Sequence, residues 1–251
     1  MDRFSRLEFG DAAPRKEGTA GEPIRDAGYF CGEAVKYWLG GDYELALRHY
    51  SRALEQDQTR FDAWAGQVLM LIELGEYREA NLWTDKALGL FPEHPELLAL
   101  KAVACARDAR MKQAVAYSDN AIAKDNPTPR VWLARAEVFL HRRGQIAEGC
   151  LSKAISGAGE LSAIAKLEAG RLLQKKRNFV QAVQYLREAV QMLPKSALAW
   201  YELGRCQAAL GLREAVESLE QSLRLRPSWR EAEAELRRVE NRGFFRRLMG
   251  K

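Results

Sequence analysis

The stretch FDAWAGQVLMLIELGEYREANLWTDKALGLFPEH, Phe61 to His94, decides the fold. Trp64, Val68 and Leu71 fall on one helical face, Gly75, Glu76 and Tyr77 interrupt the pattern, and Ala80, Thr84 and Ala87 then share one face of a second helix. Pro92 closes the unit, because proline cannot continue the helix it follows. The text therefore predicts two helices packed back to back, with alanine at 80 and 87 allowing their backbones to approach.

Outward from this stretch the same features return at a fixed step. Ala46, Ala80 and Ala114 stand 34 residues apart, Ala53, Ala87 and Ala121 repeat the step, and Trp64, Trp132 and Trp200 stand at twice that distance. A single globular core has no reason to repeat at constant intervals, whereas stacked supersecondary units must.

These residues resemble the tetratricopeptide repeat, in which W-x2-L-G-x2-Y is followed by A-x3-F and then by A and P. Trp200, Leu203 and Gly204 spell W-x2-L-G, and Ala215, Leu219 and Pro227 complete that unit. Gly41, Asp42, Tyr43, Ala46, Tyr50 and Ala53 give the turn and second helix of the first unit. The resemblance implies an all-α, right-handed α-solenoid of about six helix-turn-helix units, near 27–60, 61–94, 95–128, 129–162, 163–196 and 197–229. Residues 1–26 read as a flexible segment, and 230–251 as a capping helix, Glu231 to Asn241, with a basic aromatic tail set apart by Gly243. The fourth unit departs from the pattern. Its turn at Arg142, Arg143 and Gly144 is short, and Ser156, Gly157 and Gly159 weaken the end of its second helix, which marks it for a bend.

Chemistry-bearing constellations are missing from the text. Cys31, Cys105, Cys150 and Cys206 show no CxxC or metal-ligand spacing, and His49, His94 and His141 are scattered over three units. There is no P-loop, nucleophile elbow or zinc-protease motif, so no catalytic residue, metal or cofactor is expected. The opening residues are charged rather than apolar and no 18-residue apolar span follows, which points to the cytoplasm.

What remains is surface. The resemblance implies that the first helices line a concave groove, where Val35, Trp38, Leu69, Ile72 and Val103 form an apolar trough. Leu133, Glu137, Arg171, Lys175, Tyr201 and Arg205 then bring charge into its second half. Family members that grip acidic chaperone tails use Lys, Asn and Arg at positions held here by Cys31, Val35, Gly66, Glu96 and Leu100, which argues against that use. The trough suits a partner peptide or helix, with Arg171, Lys175 and Arg205 orienting an acidic stretch. On that reading, glutamate at Leu69 and Ile72 abolishes capture and leaves the repeats folded. The alternative is that the trough is covered by the N-terminal segment or fills tight curvature. At the ends, Phe4, Leu7 and Phe9, and Phe244, Phe245 and Leu248 beside Arg246 and Arg247, form short apolar motifs suited to docking; membrane contact is expected only through the C-terminal one.

Formal charge is −5 over residues 1–128 and +10 over 129–251. The function expected is a non-enzymatic adaptor or scaffold binding a protein or peptide partner. Two alternatives follow from the charge split: a self-assembling homo-oligomer with acidic units meeting basic ones, and a nucleic-acid-binding regulator using the basic half. Arginines interleaved with glutamates, as in Arg230, Glu231, Glu233, Glu235 and Arg237, argue against nucleic acid.

Overall fold

The computed structural model describes residues 25–142 and 144–249, with side chains described as far as Asn241. Phe4, Leu7 and Phe9 lie outside the described residues, as do the side chains of Phe244, Phe245 and Leu248. The described chain is helical, in six consecutive pairs and a last helix. The pairs are α1 (Ala27–Leu39) with α2 (Tyr43–Gln56), α3 (Phe61–Glu73) with α4 (Tyr77–Leu90), and α5 (Pro95–Arg107) with α6 (Met111–Ile122). They continue as α7 (Pro129–Phe139) with α8 (Gly144–Ser156), α9 (Ser162–Lys175) with α10 (Phe179–Met192), and α11 (Ala197–Leu210) with α12 (Ala215–Leu225). The last helix, α13 (Arg230–Met249), runs unbroken through Gly243, so the tail is a continuation of the cap and not a separate piece.

Local chemistry sets the helix starts. The carboxylates of Asp26 and Asp42 accept from the backbone N–H of Tyr29 at 2.8 Å and Leu45 at 3.1 Å, and Ser196 accepts from Ala199 at 3.1 Å. Pro95 and Pro129 open α5 and α7, where a missing N–H costs nothing. Between paired helices the chain turns through a left-handed residue: Gly41, Gly75 and Gly211, but also Ala109 and Arg177 at φ 60° and 62°. For the last two that conformation costs about 1 kcal/mol each.

Packing explains the 34-residue step. Ala46, Ala53, Ala80, Ala87, Ala114 and Ala121 are all buried where second helices meet their neighbours. Trp64 and Trp200 fill the space beside them, each indole N–H reaching a carbonyl six residues upstream, Gln58 at 2.8 Å and Pro194 at 3.0 Å. In the short fourth unit Ala147 and Ala154 take over the same duty, also fully buried. After α8 a 3₁₀ turn at Gly159–Leu161 intervenes, and α8 touches the following first helix more sparsely than the other second helices touch theirs.

Candidate functional site

The first helices form a closed ring. Each of α1, α3, α5, α7, α9 and α11 touches the next, and α11 returns to touch α1. The seam lies where the turn of the first unit meets the end of the molecule. Ser196 Oγ donates to the Leu39 carbonyl at 2.7 Å, and Arg226 pairs with Asp42 at 3.5 Å. The Trp229 ring lies 2.7 Å from where a Cβ at Gly41 would stand, so the residue at 41 must be glycine both for its φ of 79° and for this approach. Trp229 also packs on Tyr201, ring centres 4.5 Å apart.

The ring is filled by its own charges. Glu73 Oε1 accepts from Arg107 at 3.0 Å, its other oxygen pairs with Arg171, and Arg107 continues to Glu137 at 2.9 Å. Arg171 also contacts Glu168 at 2.9 Å, Glu202 at 3.3 Å and the Tyr43 hydroxyl at 3.3 Å. Lys175 joins Glu137 at 2.7 Å, and Arg205 joins Glu202 at 3.2 Å. The Glu73 side chain is 5% exposed and that of Arg171 13%. Burial alone would raise the Glu73 pKa, but the guanidiniums of Arg171 and Arg107 outweigh it and bring the carboxyl down to about 2. For Glu137 burial is likewise outweighed, by Arg107 and Lys175, and its pKa is lowered. Glu168 goes the other way: burial is its largest influence and its pKa is raised despite Arg171.

This arrangement corrects the open-trough expectation. Trp38 and Ile72 are core residues, 3% and 0% exposed, and Val103 is buried, because the curvature turns their faces onto neighbouring first helices. Val35, Leu69 and Leu133 are half-buried and packed on the same core. Glutamate at Ile72 would therefore break the fold instead of testing a groove. Arg171 is not available to orient a partner, and Tyr201 belongs to the seam through Trp229. Lys175 and Arg205 alone among the expected basic residues stay accessible, each side chain 40% exposed. Among the described residues the exposed large apolar side chains are Tyr29, Leu82, Leu90, Leu161, Val180, Met192 and Leu210, none of them a trough residue.

Sequence reasoning missed Glu73, Arg107, Glu168 and Glu202 as partners. For Glu73 and Arg107 a signal was present: residue 13 of the second and third units is Glu73 then Arg107, and residue 9 of the fourth and fifth is Glu137 then Arg171, so sign alternates from unit to unit. The positions used for gripping acidic tails are spent internally too, with Cys31 buried and Glu96 held by Thr128 at 2.8 Å and Arg130 at 3.2 Å. All four cysteines are buried and unpaired, and burial pushes the Cys31 and Cys206 thiols up to about 11 and about 12. Among the described residues no group of His, Cys, Asp and Glu is arranged to hold a metal ion, and no helix is long and apolar enough to cross a membrane.

The tetratricopeptide repeat profile matches residues 32–95 and 167–228, half of the chain. The chain belongs to the tetratricopeptide repeat family. Among known members, the Hsp70-Hsp90 organizing protein of Triticum aestivum is 25% identical over 204 residues, 75% of this chain and 33% of that protein. The chain thus spans about a third of that relative's length. An uncharacterized protein of Methanocaldococcus jannaschii is 37% identical over 60 residues, 24% of this chain and 70% of its own. In three dimensions the human IFIT1 dimer with m7Gppp-AAAA is similar at a TM-score of 0.60 and 18% identity, over 88% of this chain and 54% of that one, a likeness of fold. Tetratricopeptide repeat proteins are generally non-enzymatic modules that bind protein or peptide partners, and membership of that family supports a protein-interaction role.

Proposed function

We propose that the protein is a cytoplasmic, non-enzymatic adaptor that holds a partner protein at the basic mouth of its ring, and not along an open concave trough. The observation that carries this reading is the contrast within the ring. Arg171 is consumed by Glu73, Glu168 and Glu202, whereas Lys175 and Arg205, on neighbouring first helices, keep 40% of their side chains in solvent. A partly exposed cation beside a rigid, closed scaffold can exchange its internal carboxylate for one from a partner with little rearrangement. The four free thiols suit a reducing compartment.

The test is capture of a partner by the immobilised full chain, followed by the same experiment with Lys175→Gln and Arg205→Gln together. The expected result is loss of a protein identified with the parent chain, from a variant that stays folded with its melting temperature lowered by no more than a few degrees. Undiminished capture of that protein by the folded double variant would contradict the reading.

A further inference from the structure

Beside the ring mouth, the turn edge of the fourth and fifth units carries an excess of cations. His141 and Arg142 are exposed in the turn after α7, and Lys175, Lys176 and Arg177 follow one another at the end of α9. The two turns are neighbours: Lys176 Nζ reaches Glu148 at 2.6 Å and lies 3.3 Å from where a side chain at Gly144 would begin. The local carboxylates are already engaged, Glu137 by Arg107 and Lys175, and Glu148 by Lys176. Among the described residues no carboxylate pairs with Arg142 or Arg177, and both are exposed. Arg177 occupies the left-handed turn position that is Gly41, Gly75 and Gly211 in other units, at φ 62°. The turn itself is served best by glycine there, so the guanidinium is not explained by the fold.

We propose that this edge binds an extended acidic segment of the partner protein, its carboxylates pairing with Arg142 and Arg177 and with Lys175 at the mouth. The inference rests on the mouth reading above and names the chemistry of what is held there. Adjacent packed helices stand about 8–10 Å apart, and a chain in the polyproline-II conformation has about three residues per turn and rises about 3.1 Å per residue, so acidic residues about three apart share one face and match successive turns. The seam shows the same chemistry within the chain, where Asp42 meets Arg226. A phosphate backbone fits less well. Glu137 and Glu148 lie among the cations, and neither turn carries an exposed Phe, Tyr or Trp among its described residues on which a base would stack.

Fluorescence anisotropy with the full chain tests this, using a labelled Gly/Ser peptide of about twelve residues with Glu at every third position, the same peptide with Lys, and a single-stranded RNA of similar length. The Glu peptide is expected to bind, with affinity falling as salt is raised, and the Lys peptide not to bind. Arg142→Gln with Arg177→Gly should weaken it at least about tenfold, since each lost charge-assisted contact is worth a substantial factor. Arg177→Gly alone should weaken binding without lowering the melting temperature, because glycine suits that backbone. RNA binding tighter than the Glu peptide would overturn the inference and make the edge a nucleic-acid surface. No binding of the Glu peptide would also overturn it; if capture of the partner still depended on Lys175 and Arg205, the mouth reading would stand without the acidic chemistry.

Discussion

Val35, Leu69 and Val103 in the first three units and Glu137, Arg171 and Arg205 in the last three hold the same place in the repeat, 34 residues apart, yet they do different work. The apolar set is packed away by curvature, as in any helix-on-helix contact. The charged set meets in the middle of the ring, where Arg171 crosses to Glu73 and so ties the fifth unit to the second. The difference shows how a repeat protein built mainly on nearest-neighbour contacts acquires a long-range one. Apolar residues set the path from unit to unit, and opposite charges decide where the path closes.

The largest effect should come from breaking the charged side of that comparison. Arg171→Met leaves Glu73, Glu168 and Glu202 buried without their shared cation and should cost about 3–5 kcal/mol in chemical denaturation. Adding Glu73→Gln should return part of the loss. Acid should sharpen the same contrast. Glu73 is held below the ordinary glutamate value of 4.5, so its contribution is complete above that pH and is lost as pH falls through about 2. Glu168, raised by burial, works in the opposite sense and blunts the trend. Stability of the parent chain should therefore fall more steeply with acid than that of Arg171→Met, a difference readable from melts at several pH values. A smaller effect, about 1–2 kcal/mol, is expected for Gly41→Ala, which strains the turn and pushes on Trp229 at the seam. Arg205→Met, removing a cation that is 40% exposed, should cost less than about 1 kcal/mol.

Helix positions were legible in the sequence because they depend on local chemistry: Pro92 and Pro227 closing units, Gly41 and Gly75 in turns, and alanines where second helices pack. Closure was not. It depends on small rotations accumulated over six units, which no single motif encodes, and the same Trp38, Ile72 and Val103 would line an open groove in a less curved solenoid. The turn of the fourth unit and the weak end of α8 were visible as irregularities, but not the direction in which they turn the chain. The alternation of Glu73, Arg107, Glu137 and Arg171 was the one long-range signal on offer. It becomes readable only when the repeat register is applied to charge as well as to apolar residues. The basic edge was concealed in another way, since Arg177 stands where the pattern asks only for a turn residue.

Everything said of the ring stands on closure of the first unit against the last. The most direct measurement is a nuclear Overhauser effect between the Trp229 indole ring protons and the Gly41 α-protons in the full-length protein. A strong cross-peak is expected, since the ring carbons stand 2.7 and 2.9 Å from where a Cβ at Gly41 would be. With both resonances assigned and no cross-peak between them, the ring would be open in solution and the concave groove would again be the surface to examine.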